Sequence, residues 1–383
     1  MTYNRSIIYV AGFLYTLAIA LTLYINSSFL ASFVGEEKVG IVYGFGSIFS
    51  LVALLSAPGV FRIIKGRRFV AGVSFLISIV FLLLAHVSHA FSAVIFLVLL
   101  LALVELVVFA LDEFLKIFSQ NEKLGRIRGI YVSVCHIAVI SVQLLFFLFL
   151  GTFTFKKIYS LAAIVAFCFS CLMLYWLKKV PEPEYNQVNR LRFVGKFFKQ
   201  KNLARAYVLN WLLQFFYVWM IIYTPLYLYT HLGFNLHQIG IILGFMLLPF
   251  LILPYALGKH GDKFGERKTL MFGFLVAALC TILLFFLHSH SVVFWALALF
   301  GTRVGAATIE VMNDTYFFKH ILPENEEYVS VYRTATPAAY IIAPLLASLI
   351  LSTVPTFNYI FAILGSLMLC GVYIASTIDR KDF

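Results

Sequence analysis

The stretch GTRVGAATIEVMND, residues 301–314, sets Arg303, Ala307, Glu310 and Asp314 at i, i+4, i+7 and i+11. That spacing puts all four on one face of a helix. A guanidinium offers a planar fork of donors to an anionic or hydroxyl-bearing solute. A carboxylate in apolar surroundings can take up and release a proton. The same spacing recurs in VELVVFALDEFLK, residues 104–116, through Glu105, Phe109, Asp112 and Lys116, with Glu105 and Arg303 198 positions apart. Both stretches are otherwise apolar, and a charge at the centre of a bilayer costs at least about 2.5–3.5 kcal/mol. Glu105 and Arg303 fall near the middle of their segments, so a wet cavity or a partner charge is expected beside them. Asp112, Glu113, Lys116 and Asp314 fall nearer one end, where water or headgroups can reach. Arg303 and Glu310 are two turns apart and could also simply neutralise each other.

Two further segments carry polar groups at helical spacing. Asn210, Gln214 and Tyr217 lie at i, i+4 and i+7, with Trp211 and Tyr223 nearby; Tyr9 and Thr16 lie at i and i+7, with Asn26 beyond them. Together they could line an aromatic small-molecule site with a few amides and hydroxyls. They would equally serve as hydrogen bonds between helices and as interfacial aromatics. His136 reads as a packing residue. His86, His89, His288 and His290 read as interfacial, and no metal site is expected. Cys135, Cys168, Cys171, Cys280 and Cys370 lack metal-ligand spacing and read as reduced, packed, small hydrophobes. No nucleotide-binding loop and no Gly-x-Ser-x-Gly elbow is present, so neither ATP drive nor hydrolase chemistry is expected, and no cofactor is implied.

The elements that carry these residues must be membrane helices. Of the 383 residues 62% are hydrophobic and only 12% charged, where soluble domains run nearer 45–50% and about 25%. Forty-one Phe and 21 Tyr exceed what one aqueous core can bury, and the mean hydropathy of +0.96 agrees. A spanning helix needs about 20 apolar residues, and irregular or sheet structure cannot satisfy its backbone in hydrocarbon. Breaks at charge, Pro, Gly and His clusters predict twelve helices. Six lie at about 6–30, 39–60, 69–88, 91–117, 128–150 and 155–178. Six more lie at about 203–230, 238–257, 269–288, 291–318, 328–351 and 355–377. The first is too long for a signal-peptide core and is expected to stay in place. Pro249 and Pro254 in the eighth, and Pro337 and Pro344 in the eleventh, are expected to kink their helices.

The predicted domains are a six-helix bundle over 1–178, a basic linker over 179–202 that contains the helix-breaking PEPE, and a second six-helix bundle over 203–383. With both termini on the cytoplasmic side of the cell membrane, the outer loops hold only Lys38, Lys156 and Lys157. Arg303 is inside a span, and every other Lys and Arg of the 29 is on the inner side. This asymmetry sets the orientation. It also accounts for the net charge of +12 without nucleic acid, which is excluded as a partner. The halves repeat each other: GVFRIIKGRR at 59–68 answers GKHGDKFGERK at 258–268, and HVSH at 86–89 answers HSH at 288–290. A six-helix internal repeat is a common plan for secondary transporters.

GKHGDKFGERK resembles the signature loop of the major facilitator superfamily, through Gly258, Asp262, Lys263, Gly265, Arg267 and Lys268. It stands after the eighth span, where the second copy of that loop belongs, and the twelve spans and 6+6 split extend the resemblance to the whole chain. The first-half copy departs from the pattern: Ile63 stands where Asp is expected. The resemblance implies an all-α membrane fold of two pseudo-symmetric six-helix bundles, with spans one, four, seven and ten lining a central cavity. It also implies a loop that gates the cytoplasmic side. Asp262 would then meet Arg126 and Arg128 at the start of span five, and Arg62, Lys65, Arg67 and Arg68 would meet PENEEY at 323–328 before span eleven.

The expected function is secondary active transport of a small solute by alternating access. Arg303, Glu105, Asn210, Gln214, Tyr217 and Thr16 are candidates for substrate binding, and Glu310, Asp314, Asp112 and Glu105 for proton coupling. The expected partners are a small-molecule substrate, protons and the lipid bilayer, and the chain is expected to act as a monomer. A drug/proton antiporter is the second reading among transporters, although span five lacks the Gly-Pro-rich run many of them carry. A sensor or structural protein that keeps the transporter fold is the alternative outside transport.

Overall fold

The computed structural model of the chain describes residues 2–117, 124–148, 154–181, 191–253, 257, 266–320 and 327–378. Among them it is helical throughout and divides into two compact units, Met1–Gln187 and Val188–Phe383. Among the described residues ten helices are long and apolar enough to cross a membrane, and two shorter apolar ones, at 133–146 and 335–351, bring each unit to six.

In the first unit span one is α1 (Thr2–Leu23) continued by α2 (Asn26–Val34) after a turn at Tyr24–Ile25. The spans that follow are α3 (Glu36–Ile63), α4 (Gly66–His86), α5 (Ala90–Ile117), α6 (Leu124–Leu148) and α7 (Phe155–Trp176). In the second unit a short helix α8 (Leu191–Lys199) precedes span seven, α9 (Lys201–Thr230). Sequence reasoning gave 179–202 wholly to linker; α8 is helical there because the apolar residues of LRFVGKFFK fall on one side and its cations on the other. Span eight begins as α10 (Leu236–Met246), turns at Leu247–Leu248 just before Pro249, and resumes through Leu253. The expected kink at Pro249 is therefore present, while Pro254 lies outside the described residues. Then come α11 (Glu266–Phe286) and α12 (Val292–His320). Span eleven is broken into α13 (Glu327–Tyr332) and α14 (Ala335–Leu351), and α15 (Tyr359–Ser376) is the twelfth.

The two units pack by one scheme. In the first, span one meets spans four, five and six, span two meets four, and span three meets four and six. The second unit shows the same pairings: α9 with α12, α14 and α15; α10 with α12; α11 with α12 and α15. The internal repeat read from loop motifs is thus a repeat of packing. Small residues permit it, since helices in lipid associate by close fit rather than by escape from water. A Cβ added at Gly305 of α12 would run into the backbone nitrogen of Ala277 and lie 2.7 Å from the Gly273 oxygen of α11. In the first unit α4 and α7 are tied in both directions, by Ser78 Oγ donating to the Ala163 carbonyl (2.8 Å) and Ser170 Oγ to that of Ala71 (2.7 Å). Large apolar residues such as Phe75, Leu82, Phe272, Leu279 and Leu283 remain exposed on α4 and α11, as suits helices solvated by hydrocarbon.

All five cysteines are free. Cys168, Cys171 and Cys370 are exposed on helix surfaces rather than packed, which corrects the expectation for those three. A thiol is small and apolar enough to face lipid without cost.

Candidate functional site

In the second unit the charged stripe is built into partners from two other helices. Arg303 is buried at 2% exposure. Its guanidinium lies 5.3 Å from the Phe216 ring centroid and 5.5 Å from that of Tyr217, both on α9. Ring faces attract a cation at this range, which offsets part of the cost of taking it out of water. The hydroxyl of Tyr217 donates to Glu310 Oε2 at 2.7 Å, so one tyrosine touches the cation with its face and the anion with its tip. Arg303 and Glu310 share one face of α12 two turns apart, and Tyr217 of α9 spans the interval between them.

One turn further along α12, the hydroxyl of Tyr332 donates to Asp314 Oδ1 at 2.9 Å and accepts from Asn313 Nδ2 at 2.8 Å. Asn313 Nδ2 also reaches the Ala206 carbonyl of α9 at 3.0 Å. The Tyr332 ring stacks on Phe317 with centroids 3.8 Å apart. The backbone carbonyl of Tyr332 takes Asn210 Nδ2 at 3.4 Å, and Gln214 Nε2 donates to Asn210 Oδ1 at 3.3 Å. Tyr332 is the last residue of α13, where span eleven breaks. Pro337 has no N–H for the Arg333 carbonyl, which accepts from Thr336 at 3.4 Å instead. The break frees the Tyr332 carbonyl from its helical donor, and Asn210 supplies a replacement. Tyr207 of α9 adds a hydroxyl contact to Thr334 at 3.1 Å.

The first unit arranges its stripe differently. Glu105 is exposed on α5, while Asp112 is half-buried and its charge acts on Glu105. Tyr15 of α1 donates to the Val104 carbonyl at 2.7 Å, not to a carboxylate. Thr16 shares a hydrogen-bonding group with Cys135 and Tyr131 of α6. Beyond them, Tyr159 donates to Asn26 Oδ1 at 2.7 Å, which occupies the polar residue at the turn in span one.

The structure therefore brings Arg303, Glu310, Asp314, Asn210, Gln214 and Tyr217 into one continuous assembly within the second unit, and groups Glu105, Asp112 and Thr16 in the first. Sequence reasoning missed Tyr332 and Asn313, and the Tyr15, Tyr131 and Cys135 group. Asn313 adjoins Asp314 in the motif itself and was legible. Tyr332 was not, because its role depends on where span eleven breaks. Of the gating loop, Gly258, Asp262, Lys263 and Gly265 lie outside the described residues, as do residues 323–326; Arg126 and Arg128 belong to α6, but their side chains are not described. Arg267 and Lys268 begin α11. The described ion pair of that loop was not anticipated: Lys319 Nζ, near the end of α12, meets Glu266 Oε1 at 2.6 Å.

Residues 207–381 match the family described as Major Facilitator Superfamily. Solved structures share the fold over nearly the whole chain. A point mutant of the nucleoside transporter NupG superposes with a TM-score of 0.76 at 12% identity, covering 98% of this chain and all of that one. The peptide transporter POT in complex with sulfate gives 0.73 at 13% identity, covering 98% and 94%. A bacterial homologue of the human lysosomal transporter Spinster gives 0.69 at 11%, covering 98% and 95%. Comparison with curated sequences gives no match.

Proposed function

We propose that this protein is a member of the major facilitator superfamily and a secondary active transporter, which moves a small polar solute across the membrane by alternating access and couples that movement to protons. The reading rests on one observation: Arg303, buried at 2% exposure, shares Tyr217 with Glu310. A cation held by aromatic faces beside a carboxylate held by a phenol can serve both tasks. The guanidinium presents donors to an anionic or hydroxyl-bearing group of the solute. Glu310 takes the proton, and Asp314, on its own tyrosine one turn away, is the second carboxylate of the relay. Glu105 and Asp112 are the corresponding groups of the first unit. The solved relatives include transporters of a nucleoside and of a peptide. Both are small polar solutes with aromatic or amide surface, so nucleosides and short peptides are the first probes. We place both termini on the side that gathers the Lys and Arg residues.

The test is uptake into proteoliposomes under an imposed pH gradient. Wild-type protein accumulates the probe against its gradient. Glu310→Gln loses gradient-driven accumulation and keeps exchange of internal for external probe. Accumulation that survives in Glu310→Gln removes that residue from the coupling step. A wild-type protein that moves none of the probes under any gradient turns the reading toward a non-transporting sensor.

A further inference from the structure

We infer that α8 is a docking helix for anionic phospholipid, held on the second unit by a single buried aromatic and presenting a basic, aromatic-edged face to the bilayer surface. The anchor is Phe197, which has no exposed surface. Its ring centroid lies 5.6 Å from Tyr328, 6.1 Å from Tyr207 and 6.3 Å from Phe317. Gln200 Nε2 adds a bond to the Tyr328 hydroxyl at 3.4 Å. These three rings fix the height of the helix. Tyr207 stands near the start of α9, Phe317 near the end of α12 and Tyr328 at the start of α13. All are span ends on one side of the unit, which is the level where hydrocarbon gives way to headgroups.

The outer face of α8 suits that level. Lys196, Lys199 and, just beyond the helix, Lys201 are exposed. Neither Lys196 nor Lys199 has a hydrogen-bond or ion-pair partner among the described residues. Phe198, between the two lysines in sequence, is exposed by 43%, and Phe318 of α12, next to the Phe317 on which Phe197 packs, by 51%. Lysines one turn apart with exposed phenyl rings alongside make the pattern of an interfacial helix. The ammonium groups meet phosphate and the rings enter the acyl boundary. An acidic soluble partner would use the lysines but leave the two rings without apolar cover. The side is also the one where the sequence collects its cations, and the inner leaflet is the anionic one.

The experiment measures lipid retained by full-length protein purified in detergent from mixed phosphatidylcholine and phosphatidylglycerol, read by native mass spectrometry. Wild type should retain phosphatidylglycerol in preference. Lys196→Gln/Lys199→Gln should lose the preference by roughly five-fold for each lysine. Lys156→Gln/Lys157→Gln, on the opposite side, should keep it. The wild-type preference should also fade as salt is raised, since charge pairing at a surface is screened; this arm stands even if the double variant does not fold. No preference in wild type, an undiminished preference in Lys196→Gln/Lys199→Gln, or an equal loss in the opposite-side variant overturns the assignment.

Discussion

The fourth span of each unit carries charge at matching positions, and the two units treat that charge in opposite ways. On α12 each carboxylate has a tyrosine from another helix, Tyr217 for Glu310 and Tyr332 for Asp314. The buried cation, Arg303, is folded against rings of α9. On α5 the corresponding tyrosine, Tyr15, spends its hydroxyl on the Val104 backbone and leaves Glu105 exposed. The fifth spans differ to match. α6 runs through Leu124–Leu148 in one piece, whereas the second unit breaks its fifth span after Tyr332 and ties the break to Asn210. Equivalent spacing in sequence therefore does not mean equivalent chemistry. The second unit holds a partnered, ordered polar assembly, and the first leaves Glu105 exposed.

The largest expected effect tests the packing beneath the second assembly. Gly305→Val places methyl groups against the backbone of α11 at Ala277 and Gly273, and backbone cannot step aside. A loss of about 3 kcal/mol is expected, read as a fall in the thermal unfolding midpoint of purified protein. In the first unit a Cβ at Gly12 first meets the Tyr131 ring, a side chain rather than backbone. A side chain can turn away, so the midpoint of Gly12→Ala should fall far less. Equal losses would mean that the two units are equally rigid around their polar groups.

Next in size is Tyr332→Phe. It keeps the stack on Phe317 but removes the donor to Asp314 and the acceptor for Asn313. Hydrogen bonds to charged groups are worth about 1.5–3 kcal/mol, so a loss near 2 kcal/mol is expected. Amide exchange should also rise across the 333–336 break. Tyr131→Phe in the first unit gives up only a bond to the Cys135 thiol, a weak partner, and should cost much less. Arg303→Met follows: its methyl thioether still fills space against Phe216 and Tyr217, and the lost cation–ring attraction of about 0.5–2 kcal/mol is partly returned because no charge is left to bury. A midpoint within about 1 kcal/mol of wild type, together with loss of solute binding, would separate a binding cation from a structural one.

The sequence carried the helices well, because twenty apolar residues between charged breaks admit little else in a bilayer. It carried the stripes on α5 and α12 for the same reason, since helical spacing is local. What it could not carry is whatever depends on contact between spans. That Tyr217 bridges Arg303 and Glu310 follows from the register of α9 on α12. That Tyr332 meets Asp314 follows from a break whose cause, Pro337, was visible but whose consequence for a carbonyl five residues earlier was not. α8 was hidden by the expectation that a polar, proline-bearing stretch is linker throughout. Two of its three buried-face neighbours, Phe317 and Tyr328, are remote in sequence.

The smallest effect on stability is expected where the functional effect is large. Glu105→Gln replaces a carboxylate that is exposed and accepts no hydrogen bond among the described residues, so no partner is left unsatisfied. The substitution also relieves repulsion with Asp112, whose charge acts on it. Surface changes of this kind stay within about 0.5 kcal/mol, and the unfolding midpoint should hardly move. If the first unit leaves Glu105 open because a solute or proton occupies it in the working cycle, the same substitution should weaken probe binding or change its dependence on pH. Glu310→Gln provides the contrast: its amide can still accept from Tyr217, yet it gives up a charge beside Arg303, so it should move both the midpoint and the pH dependence. A Glu105→Gln protein that matches wild type in stability and in every transport measurement would reduce the first-unit stripe to a remnant of the repeat and leave the chemistry to α12 alone.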